Sequence, residues 1–262
     1  MTPAALPATI VGVRSGPGNW LSGASAMLRW HLTSMRLVVP VMIVVQILVA
    51  AGFSVGMSLF FEEVPPRAAL FLGTGAGVIN LILVGLIVAP QLVASEKEAG
   101  TYDFTWSLPL PRSASVVAWL ILSAIVSIPA MMAALVVAGL RFDLGLSVSL
   151  AVIPAVALVL VCATMIGYAI AQAIERPTIT QLISQVLAFG ILGFTPITFP
   201  LENLPPWLAN VHQVLPFYHM GVVVRAGLTD GLVTNVTRSY LILAAWTLVA
   251  GLVTGLVLGR RK

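Results

Sequence analysis

Six long stretches of this chain contain no charged residue, and that spacing limits its fold more than any other feature. The stretches cover residues 37–61, 68–95, 113–140, 144–174, 177–201 and 239–259. Each is longer than the roughly 20 residues that a helix needs to cross the hydrocarbon core of a bilayer. Only 8% of all residues are charged, against roughly 25% in typical soluble domains. The sequence therefore predicts an all-α polytopic membrane protein with six transmembrane helices.

The charge-free stretches leave no room for a separate soluble domain. Residues 1–18 are rich in proline and glycine, with Arg14 as their one charge, and predict a disordered tail instead of a signal peptide. Residues 19–262 are predicted to form a single transmembrane domain. Its predicted spans are about 37–61, 68–94, 114–140, 144–174, 179–200 and 239–258.

Lysine and arginine predict the orientation of the spans. On alternate sides of six spans they divide nine against four, and the richer side is expected in the cytoplasm. The richer side holds Arg14, Arg29, Arg36, Lys97, Arg112, Arg176, Arg260, Arg261 and Lys262, and the poorer side holds Arg67, Arg141, Arg225 and Arg238. Both termini are therefore predicted to be cytoplasmic. Because the basic residues follow this rule, nucleic acid is not an expected partner.

Residues 19–36, before the first span, have a helical pattern of apolar and polar residues. The apolar positions are Trp20, Ala24, Met27, Leu28 and Met35, and the polar positions are Ser22, Ser25, Arg29 and Arg36. This pattern predicts an amphipathic helix on the inner membrane surface, with its basic face towards anionic lipid. The alternative is a plain extension of the first span.

The chain lacks the residues of an energy-converting enzyme. A P-loop needs a lysine that reaches the nucleotide phosphates, and neither Lys97 nor Lys262 has the required neighbours. The six spans contain no Asp, Glu, Lys, Arg or His to couple transport to an ion gradient. His31, His212 and His219 lie outside the spans on both sides, so they are interpreted as interfacial side chains, and no metal site is predicted. We expect no catalytic residue and no cofactor bound by this chain.

The loop between spans 2 and 3, residues 95–112, combines charges, a glycine, aromatic residues and prolines, and is called the coupling loop below. Gly100 permits a sharp break at a helix end, and Thr101 is predicted to cap a new short helix. Tyr102, Phe104, Trp106 and Leu108 give that helix an apolar load, and prolines end it. Such a helix is suited to docking into a groove on a partner protein.

The coupling loop resembles that of the type-2 ABC exporter permeases. Their pattern of Glu-x-Gly-Thr, an acid, an apolar run and a proline is matched by Glu98, Gly100, Thr101, Asp103, Phe104 and Pro109, while Thr105 and Trp106 depart from it. A second match lies between spans 5 and 6. There the residues Pro200, Glu202, Asn203, Pro205, Trp207, Pro216 and Arg225 resemble the family's outer-face re-entrant helices.

The resemblance implies the permease subunit of an ATP-binding-cassette exporter in a bacterial plasma membrane. It implies a second permease, identical or related, and two cytoplasmic P-loop ATPase subunits that bind ATP and magnesium. It also implies that Glu96, Glu98, Gly100 and Thr101 transmit motion from the ATPase, with both acids pairing with its basic residues. The absence of charge in the spans favours an apolar or amphipathic substrate, such as a lipid or a drug.

Small and amide residues in the spans leave two questions open. Gly52 and Gly56 have the spacing of a helix-packing pair, which fits either a seam between subunits or packing within one subunit. The same spacing recurs at Gly73 and Gly77, and at Gly251, Gly255 and Gly259. Six amides either line a substrate path or bond to neighbouring helices, namely Gln46, Asn80, Gln91, Gln172, Gln181 and Gln185.

Two other functions compete with the exporter. A non-transporting membrane scaffold or assembly factor would explain the spans, but it does not require the Glu-x-Gly-Thr loop. Half of an ion-coupled carrier is disfavoured by the absence of acids within the spans.

Overall fold

The computed structural model describes residues 17–59, 64–108 and 110–260, and every regular element within them is helical. The α-helices are α1 (Pro17–Ser34), α2 (Val38–Leu59), α3 (Pro66–Leu83), α4 (Ala89–Glu98), α5 (Thr101–Ser107), α6 (Arg112–Phe142), α7 (Val152–Ala173), α8 (Pro177–Phe194), α9 (Pro206–His212), α10 (Pro216–Leu228) and α11 (Val236–Arg260). The predicted N-terminal tail falls almost wholly outside the described residues.

Six helical segments are long and apolar enough to cross a bilayer, which confirms the all-α class and the predicted number of spans. They are Val38–Gly56, Pro66–Glu98, Arg112–Phe142, Val152–Ala173, Pro177–Phe194 and Val236–Val257. Four of them begin directly after a proline or a polar residue, namely Pro65, Pro111, Arg176 and Asn235, and all six continue through apolar sequence. The absence of charge thus located the spans.

Two predicted span ends were wrong because uncharged sequence also forms loops. The fourth span was predicted from residue 144, but α7 begins at Val152. The backbone amides of Ser147 and Ser149 instead donate to the last carbonyls of α10, at Leu228 and Gly227. The fifth span was predicted to residue 200, but α8 ends at Phe194, and a buried non-helical stretch follows over 195–198.

The second span is one continuous helix of 33 residues, Pro66–Glu98. At 1.5 Å per residue it is about 50 Å long, well over the roughly 30 Å hydrocarbon core. Its middle turn, Val84–Val88, is π-helical and joins α3 to α4. Most of this helix is buried inside the protein, so it forms the centre of the fold.

The fold has two distinct ends, at opposite ends of the second span. At the loop end, α1 packs on the start of α6, and α4 continues into α5. At the cap end lie a short 3₁₀ turn at Leu201–Asn203, α9 and α10. These three elements together are called the cap segment here. Three spans, α2, α8 and α11, have mostly exposed surfaces, which leaves broad apolar faces open to lipid or another chain.

Helix α10 is too short to be a seventh span. Its 13 residues extend about 20 Å, against the roughly 30 Å that a crossing needs. Ten of them are buried, and the helix packs on α3, α7 and α11. The re-entrant course of this segment relative to a bilayer stays a prediction.

Candidate functional site

A glycine turn fixes the coupling loop between α4 and α5. Gly100 has φ 72°, a left-handed conformation that favours glycine and lets the chain reverse directly after α4. The prediction that Thr101 caps α5 was wrong, because Gly100 occupies that position. The Thr101 hydroxyl instead donates to the carbonyl of Glu96, at 3.2 Å. Thr101 therefore stabilises the end of α4.

Lys97 and Tyr102 attach the coupling loop to the end of α7. The Lys97 ammonium donates to the carbonyls of Ala171 and Ile174, the latter at 2.8 Å. Ala171 is in the last turn of α7 and Ile174 directly follows the helix, where carbonyls lack partners in the helix. The Tyr102 hydroxyl donates to the Gln172 amide oxygen, and both side chains are buried. The loop is thus held against the fourth span from two sides.

Glu96 and His31 form a buried contact between α4 and α1. The carboxylate Oε1 lies 3.1 Å from His31 Nδ1, and the two side chains are only 10% and 1% exposed. The imidazole also packs on the buried Trp119 ring of α6, with centroids 4.6 Å apart. The contact becomes an ion pair when the imidazole carries its second proton. His31 thereby joins the amphipathic helix to the coupling loop.

The interpretation of the three histidines as interfacial side chains was wrong, because all three are buried. For His31 the sequence contained a signal that went unused. It follows the buried Met27 by four residues and the buried Ala24 by seven, so it continues the apolar face of α1. In α1 the predicted polar positions Ser22, Ser25 and Arg29 are exposed, while the location of this helix on a membrane surface stays a prediction.

The remaining predicted residues of the loop form its exposed face. Glu98, Asp103 and Phe104 all point away from the bundle, and Phe104 is 52% exposed. The Phe104 ring contacts the ring of Trp30 in α1, with centroids 5.6 Å apart. This pair with its two flanking acids is called the docking face here. Pro109 lies outside the described residues.

The structure therefore divides the predicted coupling residues into two groups. Gly100, Thr101 and the docking face are exposed to a partner, whereas Glu96 is committed to His31 within the chain. Both Glu96 and Glu98 were expected to pair with an ATPase, but only the Glu98 side chain is accessible to one. Burial gives Glu96 a contact within its own chain.

At the cap end, most predicted residues lie on the surface. Glu202, Asn203, Pro205 and Trp207 are exposed, while Pro200 is half-buried. Glu202 approaches Arg67 at 3.9 Å, but both side chains are more than half exposed, and such pairs contribute about 0–1 kcal/mol. Pro216 is buried in the first turn of α10.

Arg225 is the exception, since its side chain lies inside the protein and is 1% exposed. Its Nε donates to the Thr74 hydroxyl at 3.0 Å, and its Nη2 donates to the carbonyls of Ile197 and, at 3.5 Å, Phe71. The guanidinium carbon lies 4.1 Å from the centroid of the Phe71 ring. These contacts connect α10, α3 and the stretch that follows α8.

His219 and Trp246 connect the cap segment to α11. Burial lowers the pKa of His219, so its imidazole is neutral near pH 7. Since the Gln213 carbonyl only accepts, His219 Nε2 donates to it at 2.9 Å, and Nδ1 accepts from the Ser239 hydroxyl at 2.9 Å. Trp246 Nε1 donates to the Val214 carbonyl at 2.9 Å. The cap segment is therefore held by several spans.

The glycine pairs differ in what surrounds them. A Cβ at Gly73 or Gly77 would meet side chains of the same chain, so this pair packs within the subunit. Nothing lies within 4 Å of a Cβ built at Gly52 or Gly56, and the glycines at 251, 255 and 259 are equally open. The predicted seam residues are thus free for a contact with a second chain.

The amide residues also separate into two groups. The buried Asn80 donates to the Gln46 carbonyl at 3.3 Å, and the buried Gln172 accepts from Tyr102. Gln91, Gln181 and Gln185 line an open cavity of about 320 Å³ between α4 and α8. In the described part of the chain, no three metal-ligating side chains come together.

Six spans, a helical loop at one end and a cap at the other define a multi-pass membrane protein. Residues 59–256 match the family model of the ABC-2 family transporter proteins, which covers most of the chain. The chain therefore belongs to the ABC-2 transporter family and is a membrane permease of an ABC transporter. Membership implies association with ABC ATPase components. No curated protein matches the chain.

Proposed function

We propose that this permease is the membrane subunit of a bacterial exporter, driven by a separate ATPase that binds ATP and magnesium. In this proposal the loop end is cytoplasmic, with both termini, and the cap end faces outward. The observation that carries it is the docking face. The contacting rings of Trp30 in α1 and Phe104 in the coupling loop are exposed, and the loop also carries the exposed acids Glu98 and Asp103. Exposed aromatic residues with charged neighbours are typical of protein contacts.

The division of the coupling loop supports this role. A partner that displaces α5 moves α4 through the short Gly100 turn, moves α7 through Lys97 and Tyr102, and moves α1 through Glu96 and His31. A rigid attachment to several helices is what a mechanical input requires. A scaffold, the alternative function, has no need of it.

A second permease would complete the translocation path. The open cavity beside Gln181 and Gln185 carries amide groups on a span whose surface is mostly exposed. Amides facing lipid are unfavourable, so a second copy or a related chain is proposed to cover this face of α8. The open glycines at 52 and 56 let a neighbouring helix approach α2 closely. The proposed substrate is apolar or amphipathic, such as a lipid or a drug.

Purification from the native membrane in a gentle detergent tests the proposal. We expect a P-loop ATPase to copurify at about one copy per permease, together with a second permease, identical or related. Mass spectrometry of the purified complex identifies the subunits. Copurification of membrane proteins without any ATPase would favour the scaffold.

Charge reversal on the docking face is predicted to weaken the complex. Glu98→Arg should lower the amount of copurified ATPase by about tenfold, which corresponds to roughly 1.4 kcal/mol. Asp230→Arg is the matched control, because it makes the same charge change at an exposed site of the cap end. Equal ATPase recovery with both variants would remove Glu98 from the interface.

A further inference from the structure

Arg225 is a buried cation that neutral oxygens hold in place. Within residues 17–59, 64–108 and 110–260, no carboxylate pairs with Arg225: Glu96 lies against His31 instead, and Glu202 approaches Arg67. Burying an ion without strong partners costs several kcal/mol. A planar guanidinium offsets this cost best, because it donates in several directions at once. The position therefore requires arginine and not merely a positive charge.

Two residues of α3, Phe71 and Thr74, contact this guanidinium. Thr74 is fully buried, and its hydroxyl donates to the Leu70 carbonyl at 2.5 Å, so its oxygen lone pairs face Arg225. One turn earlier, the Phe71 ring covers the guanidinium. Helix α3 thus provides an acceptor and an aromatic face, three residues apart on the same side.

The third partner is the non-helical stretch over 195–198. Its residues are buried, so its carbonyls need donors from the protein. Arg225 donates to one of them, at Ile197. The stretch lies directly on α3, since a Cβ built at Gly75 would be 2.6 Å from the Ile197 oxygen and 2.9 Å from the Thr198 Cα. Gly75 and Arg225 therefore act on the same contact.

We infer that Arg225 is a positioning residue that makes α10, the 195–198 stretch and α3 move as one body. The four residues Phe71, Thr74, Ile197 and Arg225 are called the cap clamp. The helix that carries the clamp continues to Glu98, so one element joins the coupling loop to the cap segment. The inference deepens the proposed function, because displacement of the docking face would reach the cap through this helix.

The distance between α3 and the end of α10 tests the clamp. Nitroxide labels are placed on Arg67→Cys and Asp230→Cys, both at exposed sites, in full-length protein with Cys162→Ala in lipid nanodiscs. Pulsed electron resonance should give one narrow distance population. Arg225→Gln is expected to add a second, broader population, and Arg225→Lys is expected not to restore the narrow one.

Controls separate positioning from a general loss of structure. Labels on Ser25→Cys and Ser107→Cys report on the loop end and should not respond to Arg225→Gln. Gly75→Ala, which pushes Ile197 away from α3, should broaden the cap distance, whereas Gly139→Ala has open space and should not. If Arg225→Gln is not recovered from membranes, Thr74→Val replaces it as the deciding variant. It keeps the charge of Arg225 and removes one acceptor, so it should also broaden the cap distance.

An unchanged cap distance in the deciding variant would overturn the clamp. A loop-end distance that changes as much as the cap distance would also overturn it, because Arg225 would then maintain the whole fold. These measurements need no ATPase, so the clamp and the proposed function fail separately. The same label pair is also measured in the assembled transporter that keeps Arg225. There the distance between residues 67 and 230 should form one population, both with and without ATP and vanadate. A second population or a shifted distance would refute movement as one body.

Discussion

Replacement of Gly167 by alanine is expected to destabilise the protein more than any other single-methyl change in the spans. The Gly167 Cα in α7 faces the backbone of the π-helical turn, and a Cβ there would collide with the Gly85 carbonyl oxygen and come within 3.0 Å of the Leu86 Cα. Backbone atoms cannot rotate away as side chains can. The two spans would have to separate, at an expected cost of about 1–3 kcal/mol.

Thermal unfolding in detergent measures this effect. The signal is the fraction of protein that remains monodisperse after heating. Gly139→Ala and Gly190→Ala are matched controls, because both glycines lie in spans and nothing is within 4 Å of their built Cβ atoms. These two variants should leave the unfolding temperature unchanged or raise it slightly, since alanine favours helix. If Gly167→Ala unfolds at the same temperature as the controls, α7 and the π-helical turn are not closely packed.

Much of the fold followed from charge alone. Lipid excludes charges from spans, so six charge-free runs located six helices. The ends of spans were less predictable, because uncharged sequence also forms loops between helices. In residues 144–151, the amides of Ser147 and Ser149 donate to carbonyls of α10, a partner that lies far away in sequence.

The candidate site was predictable where its pattern is local, and not where distant residues meet. The coupling loop is a continuous motif, and Glu98, Gly100, Asp103 and Phe104 lie on its exposed side. The partners of Arg225 lie about 150 residues earlier in the chain, at Phe71 and Thr74, so no local pattern reveals that this arginine is buried. His31 and Glu96 are likewise distant in sequence, because the whole first span lies between them along the chain.

Substitution of Glu96 is expected to uncouple the amphipathic helix from the coupling loop. Glu96→Gln keeps the shape of the side chain and removes the charge beside His31, and this should lower ATP-dependent activity of the assembled transporter severalfold. Glu96→Arg should do more, because it buries a cation without a carboxylate partner against His31 and next to Lys97. An unpaired buried charge costs about 3–5 kcal/mol, enough to reduce the folded population itself.

A double-mutant cycle shows whether the Glu96–His31 contact, and not each residue alone, carries the effect. Glu96→Gln, His31→Asn and the double variant are compared for thermal stability and for permease-stimulated ATP hydrolysis by the copurified ATPase. Contacting residues should give an interaction energy of about 0.5–3 kcal/mol, so the double variant should be less impaired than the sum of the single ones. Glu175→Gln is the control, because it neutralises an exposed acid at the same end of the fold. Strict additivity would mean that α1 and the coupling loop respond to the ATPase independently, and the mechanical input would then pass through Lys97, Tyr102 and α7 alone.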